Sequence, residues 1–141
     1  MKTMTCLYVL ALSALPALCG AVVSAKEVQS VLSHLYGLRP SYDRCLAKAA
    51  AATEATRACV EEELAYQDKR LNKAYRSLMT KLSPPLQAKL TAEEAVWIQY
   101  RDNRCASVVD GIDRSELESL GCRVEETGKQ ASDLEARLFV Q

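Results

Sequence analysis

The segment CVEEELAYQDKRLNKAY, residues 59–75, places groups that could bind a ligand beside a helical leucine pattern. Asp68 and Asn72 are four residues apart, so a helix puts a carboxylate and a carboxamide on the same face. Leu71 and Tyr75 lie on the same stripe. Such a polar pair either contacts a ligand or holds a neighbouring helix in register, and the elements around it decide between the two.

The groups opposite this pair come from a second helical segment, EEAVWIQYRDNRC. A Ser-Pro-Pro break separates the two segments, and residues at equal distances on either side of it meet in an antiparallel hairpin. This places Asp68 and Asn72 near Trp97 and Arg101. The favoured interpretation is an ion pair between Asp68 and Arg101, because polar side chains beside a core stripe are usually paired. The alternative is a recognition patch, open to solvent, of Asp68, Asn72, Arg101 and Asp102.

The chain lacks the residue sets that most enzymes and metal sites require. His34 is the single histidine, and neither a G-x-S-x-G nor an H-E-x-x-H sequence accompanies it. The three acids at residues 61–63 face three directions on a helix, which indicates a solvated face and not an acid–base pair. No C-x-x-C pair is present. We therefore expect no catalytic activity, no metal and no cofactor.

The N-terminus has the composition of a secretory signal peptide. Residues 1–25 contain one basic residue, an apolar run broken by Pro16, and a small-residue ending. The run is too short for a membrane-spanning helix of about 20 residues. Cys19 is a poor candidate for lipid attachment, because the large Leu18 precedes it. We expect a mature chain that begins at Lys26, without a stable membrane anchor, in the periplasm or secreted.

The mature chain is long enough for one domain and too short for two. The full sequence has 18 basic and 18 acidic residues, which argues against a nucleic-acid partner, since that requires a basic face. Gly and Pro are sparse and helix formers dominate. The pattern predicts an all-α fold, in which the second and third helices form a long antiparallel hairpin. A lead and four helices are expected at residues 26–40, 41–51, 54–82, 86–109 and 115–140.

Four cysteines remain after the signal, which predicts two disulfides in an exported domain: Cys45, Cys59, Cys105 and Cys122. In one continuous helix Cys45 and Cys59 would lie about 21 Å apart, beyond bonding distance. A bridge between them requires a chain reversal near Thr53, which can cap a new helix. We favour the local pairs, Cys45 with Cys59 and Cys105 with Cys122. A bridge between Cys59 and Cys105 remains a geometric alternative.

Spaced residues across the mature chain resemble a known family. They form the patterns C…E, D..LN..Y, W..YRD..C and C....T, here Cys59, Glu63, Asp68, Leu71, Asn72, Tyr75, Trp97, Tyr100, Arg101, Asp102, Cys105, Cys122 and Thr127. Residues 38–138 resemble the LprI-type lysozyme inhibitor domain, which assigns residues 41–141 to an LprI-like helical domain. The resemblance implies a small disulfide-stapled helical bundle of the bacterial envelope, with lysozyme inhibition in some members. The chain departs from the usual pattern at Glu94, where Gln is common, and at Gln130, where Arg is common.

Two classes of function remain. The first is a binding protein whose partner is a lysozyme, another muramidase or a competitor's toxin, so that it acts as an inhibitor or an immunity protein. The second is a structural or chaperone-like envelope protein that docks a partner subunit.

The turn DGIDRSE, residues 110–116, is the predicted inhibitory contact, since the bridge beneath it would limit the cost of ordering on binding. Its candidate contact residues are charged or apolar: Asp110, Ile112, Asp113 and Arg114. Arg114 is expected to enter an enzyme cleft lined by carboxylates, with the two acids meeting basic groups at the rim. The alternative is a plain polar connection between helices. Ser115 and Glu118 form a predicted capping box at the start of the last helix.

Overall fold

The computed structural model of the protein describes residues 31, 35–109 and 111–140, and for Ile112 and Asp113 the backbone alone. The predicted signal peptide, most of the predicted lead, and His34 lie outside these residues. The main elements are four helices and one short antiparallel ribbon. They are α1 Pro40–Ala49, α2 Thr53–Lys81, α3 Pro84–Arg104, β1 Val108–Val109, β2 Ile112–Asp113 and α4 Glu116–Val140. The predicted all-α class is confirmed.

A tight reversal joins α1 to α2 at the point where the cysteines required one. Ala50 and Ala51 have φ angles of 47° and 65°, in the left-handed region that costs a non-glycine residue roughly 1–2 kcal/mol. The Ala52 amide donates to the Ala49 carbonyl at 2.9 Å, which closes the turn. Ala52 is the N-cap of α2 and Thr53 its first helical residue, with no side-chain cap. The predicted capping role of Thr53 is therefore wrong, because two strained alanines turn the chain before it.

Both predicted disulfides are present. Cys45 bonds to Cys59 and Cys105 to Cys122, with Cα–Cα distances of 5.8 and 5.5 Å. The first bridge spans the reversal between α1 and α2, and the second spans the connection between α3 and α4. The alternative bridge between Cys59 and Cys105 is excluded.

Helix α2 forms the centre of the bundle. It packs mainly against α4, which runs parallel to it, and α1 packs against its N-terminal part. One core cluster joins α2, α3 and α4 through Leu71, Ala74, Leu78, Leu90, Ala131 and Leu134. A second cluster near the disulfides contains Leu38, Val60 and Val124. Full burial of a leucine or valine contributes roughly 1.5–3 kcal/mol, so these clusters fix the arrangement of the helices.

Helix α3 is the outer member of the predicted antiparallel hairpin. Pro84 occupies its first turn, where the missing amide hydrogen costs nothing. All of α3 is described, and Leu90 and Glu94 are its buried residues. Because α4 takes most of the packing surface of α2, a groove stays open between α2 and α3. None of the described helices is long and apolar enough to cross a membrane.

The end of α3 differs from the prediction. The helix stops at Arg104 and not at residue 109. Val108 pairs with Asp113, and Val109 pairs with Ile112, in an antiparallel ribbon. An Asp-Gly turn flanked by β-branched residues favours such a hairpin over a continued helix. Gly111 has a φ of 76°, a conformation that glycine adopts without strain.

Candidate functional site

The groove between α2 and α3 brings together the polar residues that the sequence predicted to face each other. Its cavity volume is about 420 Å³, within the range of roughly 300–1,000 Å³ that is typical of ligand pockets. Its lining residues are Asp68, Leu71, Asn72, Tyr75, Thr91, Glu94, Ala95, Trp97, Ile98 and Arg101. The predicted juxtaposition of Asp68 and Asn72 with Trp97 and Arg101 is confirmed.

The predicted ion pair between Asp68 and Arg101 is not formed. Arg101 donates instead from Nε and Nη2 to Oδ1 of Asp102, at 3.1 and 3.0 Å. The same oxygen accepts a hydrogen bond from Nη1 of Arg123 on α4, at 3.0 Å. The Arg101 guanidinium also lies over the Trp97 ring, 5.0 Å from its centroid. The Asp102 side chain is 44% exposed, so pairing there avoids much of the cost of desolvating a carboxylate.

Asp68 lies partly buried in the groove, and its carboxylate forms no ion pair with either arginine. Asn72 donates from Nδ2 to the backbone carbonyl of Asp68 at 2.8 Å, not to its side chain. Burial raises the pKa of Asp68, and the charges of Arg101 and Arg123 oppose that rise. Desolvation is the larger effect, because neither arginine contacts the carboxylate.

Glu94 is the second acid of the groove, and 9% of its surface is exposed. Gln130 on α4 donates from Nε2 to its Oε1. The two positions at which the chain departs from the LprI-type pattern therefore contact each other. Burial raises the pKa of Glu94, the Gln130 hydrogen bond and Arg137 lower it, and Asp133 and Glu93 raise it further.

Tyr75 ties the two walls of the groove together. Its hydroxyl lies 3.1 Å from the Thr91 hydroxyl on α3. Thr91 in turn donates to the Gln87 carbonyl at 2.9 Å. These contacts hold the register of α2 and α3 without an ion pair, which is the structural role predicted for Asp68 and Arg101.

The predicted inhibitory turn is only partly described. Asp110 and the side chains of Ile112 and Asp113 lie outside the described part of the chain, so their role stays a prediction. Arg114 donates from its backbone amide to the Ser107 carbonyl at 2.7 Å and from Nη1 to the Arg104 carbonyl at 2.9 Å. The guanidinium therefore caps the C-terminal end of α3, where a cation is favourable.

The start of α4 carries the predicted capping box. The Glu118 amide donates to Oγ of Ser115 at 3.2 Å, and the Ser115 amide donates to Oε2 of Glu118 at 2.8 Å. The Ser115 amide and the Ser115 hydroxyl, which also donates to Oε2 at 2.8 Å, lower the pKa of Glu118. The capping box and the Arg114 contacts hold both ends of the disulfide-closed connection.

A buried polar network near the lead was missed by the sequence interpretation. Glu63 and Gln67 are fully buried, although residues 61–63 were expected to be a solvated face. Glu63 accepts hydrogen bonds from the backbone amide of Arg39 at 3.1 Å, from its Nε at 2.7 Å, and from Nε2 of Gln67 at 2.7 Å. The helical spacing of Glu63, Gln67 and Leu71 could have predicted this burial, because it places all three residues on one helix face.

Arg70 extends this network to α4 and to the chain before α1. It donates to both carboxylate oxygens of Glu135, at 2.8 and 2.6 Å, and to the Tyr36 carbonyl at 3.0 Å. A Cβ on Gly128 would lie 2.9 Å from that carbonyl oxygen, so only glycine allows the segment to approach α4 this closely. The residues before α1 are thus part of the packed domain.

Metal binding has no support in the described residues, which contain no group of three or more His, Cys, Asp or Glu side chains placed to hold an ion. The groove offers acceptors, one guanidinium and aromatic surface, and the disulfides fix its helices. These features define a small, disulfide-stapled helical domain with an open groove.

The comparison with family models names the family. The model described as lysozyme inhibitor LprI matches residues 45–134, which include both disulfides and the whole groove. The chain therefore belongs to the LprI lysozyme inhibitor family. No curated protein and no solved structure showed significant similarity to the chain.

Proposed function

We propose that this protein acts outside the cytoplasm by binding and inhibiting a muramidase that degrades the cell wall. Membership of the LprI family carries the proposal. The two disulfides support an extracytoplasmic location, because such bonds persist in oxidising compartments. Family membership supports a protein partner and inhibition, not an enzymatic reaction.

The exposed face of α3 also supports a protein partner. Val96 and Tyr100 lie four residues apart on the outer side of α3 and are 67 and 50% exposed, and Ile98 in the groove is 44% exposed. Several large apolar side chains on one helix are typical of a surface that another protein covers. The disulfides hold this surface in place before binding, which limits the entropy lost on association.

The exposed face of α3 favours a second candidate as well, a structural or chaperone-like envelope protein that docks a partner subunit. An immunity protein against a secreted toxin would use the same kind of contact as an inhibitor. A measurement of muramidase inhibition distinguishes the first proposal from the docking protein and from the immunity protein.

A direct inhibition assay tests the proposal. Purified mature protein is added in increasing amounts to lysozyme acting on cell walls, and we expect inhibition that saturates at a fixed stoichiometry. Reduced and alkylated protein serves as the control, since loss of both disulfides should abolish the effect. Absence of inhibition with the folded protein, against lysozyme and a panel of other muramidases, would refute the proposal.

The turn of residues 110–116, which the second disulfide closes at its base, remains the proposed inhibitory contact. The variant Asp113→Ala, Arg114→Ala removes two of its charged groups, and we expect weaker inhibition. Because Arg114 also caps α3, the melting temperature of the variant must match that of the parent. Equal inhibition by a variant of unchanged melting temperature would exclude the turn as the contact.

A further inference from the structure

The groove between α2 and α3 contains a carboxylate without a partner. Among the contacts of the described residues, the Asp68 carboxylate accepts no hydrogen bond and forms no ion pair. A partly buried charge in this condition costs free energy, since it loses water and gains no compensating contact.

The groups near Asp68 that could compensate it are engaged elsewhere. The Asn72 amide donates to the backbone of Asp68, and Arg101 is held by Asp102 and by stacking on Trp97. Arg101 and Arg123 act on the Asp68 carboxylate through their charges and not through contact, and the effect of burial on its pKa is larger than theirs. The arrangement leaves the acid available to a group from outside the chain.

Glu94 provides a second acceptor in the same groove. Its carboxylate accepts a hydrogen bond from the neutral amide of Gln130. The amide fills one acceptor position of the carboxylate but does not neutralise its negative charge. The lining of the groove holds two acids and one guanidinium, that of Arg101, which already pairs with Asp102. Arg123 and Arg137 act on the acids from outside the lining.

The walls of the groove are apolar. Leu71, Ala95 and Ile98 lie beside the acids, together with the aromatic rings of Tyr75 and Trp97. Side chains with an aliphatic stem and a charged end bury the stem against apolar surface while the end finds an acceptor. Lysine and arginine have this chemistry.

We propose that this groove receives a lysine or arginine side chain of the protein partner, with Asp68 and Glu94 as its acceptors. The inference rests on the proposed function only in taking the partner to be a protein. It assigns a contact distinct from the turn of residues 110–116, in the groove between α2 and α3.

A cation fits the groove better than a sugar. Sugars bind proteins largely by stacking on an open aromatic face, and the Trp97 ring is already covered by Arg101. Sugar hydroxyls would also leave the charges of both acids uncompensated. Oligosaccharide binding is nevertheless a distinct outcome of the test.

Trp97 reports directly on occupancy, because it is the single tryptophan of the chain and lines the groove. Its fluorescence is followed while mature protein is titrated at neutral pH and constant ionic strength with n-butylamine or n-butylguanidinium. The matched neutral probe is n-butanol, and a soluble N-acetylglucosamine oligomer tests the sugar. We expect saturable changes with both cations and none with butanol or the sugar.

The variant Asp68→Asn, Glu94→Gln keeps the shape of the groove and removes its negative charge. We expect cation binding to weaken by about tenfold or more, the loss of one or two charge-assisted contacts. The control variant Asp43→Asn, Glu61→Gln makes the same charge change on exposed residues of α1 and α2 and should bind as the parent does. Circular dichroism and melting temperature establish that each variant is folded.

Three results would overturn the inference. They are no saturable change with either cation, equal changes with butanol, and unaltered binding by the groove variant. Saturation with the sugar in place of the cations would assign the groove to a glycan.

The inhibition assay separates this inference from the proposed function. If parent and groove variant inhibit a muramidase equally, the groove assignment is wrong and the function stands. If cations bind as expected and no muramidase is inhibited, the function is wrong.

Discussion

The buried carboxylate of Glu63 offers the sharpest test of how the domain is held together. Glu63→Ala removes an acceptor that takes hydrogen bonds from the amide and Nε of Arg39 and from Gln67, at 3.1, 2.7 and 2.7 Å. The two Arg39 donors lose this acceptor, while Gln67 keeps its hydrogen bond to the Gly37 carbonyl. Arg39 belongs to the segment before α1, so the substitution also removes one of the contacts that hold that segment to α2.

The expected cost follows from the burial of the two partners. Breaking a buried ion pair costs about 3–5 kcal/mol. The Glu63 side chain is 0% exposed and that of Arg39 is 27% exposed, so water compensates part of the loss on the arginine. We therefore expect about 3 kcal/mol, the lower end of that range. At roughly 2.1 cal/mol/K of unfolding entropy per residue, the melting temperature of the mature chain should fall by about 10–15 °C.

Urea and thermal denaturation of the oxidised protein measure this loss. The matched control is Glu62→Ala, which removes the neighbouring acid that also pairs with Arg39, at 3.2 Å, but whose side chain is 70% exposed. A surface pair contributes at most about 1 kcal/mol, so the control should melt close to the parent. A loss below about 1 kcal/mol for Glu63→Ala, or equal losses for the two variants, would refute the burial argument.

Three further substitutions have defined expectations. Glu94→Gln should stabilise the protein at pH 7, since burial raises the pKa of the acid. The gain should disappear below pH 4.5, the ordinary pKa of the group, where the parent carries no charge; a gain independent of pH in urea titrations would contradict this. Replacing Cys45 and Cys59 by alanine should cost about 3 kcal/mol, and an unchanged urea midpoint would show that packing alone holds the reversal. Thr127→Val should leave stability unchanged or raise it by up to about 1 kcal/mol, because the buried Thr127 hydroxyl has no hydrogen-bond partner within the part of the chain that the structure describes; a clear loss on thermal melting would reveal one.

Features set by local periodicity and chain geometry were predictable from the sequence. The leucine stripe of α2 and the Ser-Pro-Pro break placed Asp68 opposite Arg101 on facing helices. The impossibility of bridging Cys45 and Cys59 within one helix required a reversal, although neither glycine nor proline occurs there. In both cases the prediction needed only distances along the chain.

The features that were missed depend on a choice between partners that lie close together in space. Arg101 can reach Asp68 or Asp102, and the outcome depends on which carboxylate is less costly to pair. Glu63 appeared to be one of three solvated acids because its partner, Arg39, is distant in sequence. Residues 105–113 could continue the helix or form a hairpin around the Asp-Gly turn, and the more stable of the two sets the end of α3. The disulfide at Cys105 is compatible with both conformations.

Glu94 shows how stability and binding can be separated within one side chain. A glutamine at this position would keep a hydrogen bond to Gln130 and avoid burying a charge, so a purely structural role favours the amide. An acid has an advantage only if something binds its charge. The variant Glu94→Gln should therefore raise the melting temperature at pH 7 and weaken cation binding in the groove, the trade between stability and function that is common at binding sites. A variant that is more stable and binds cations as tightly as the parent would leave the acid without a function, and Asp68 would be the sole acceptor in the groove.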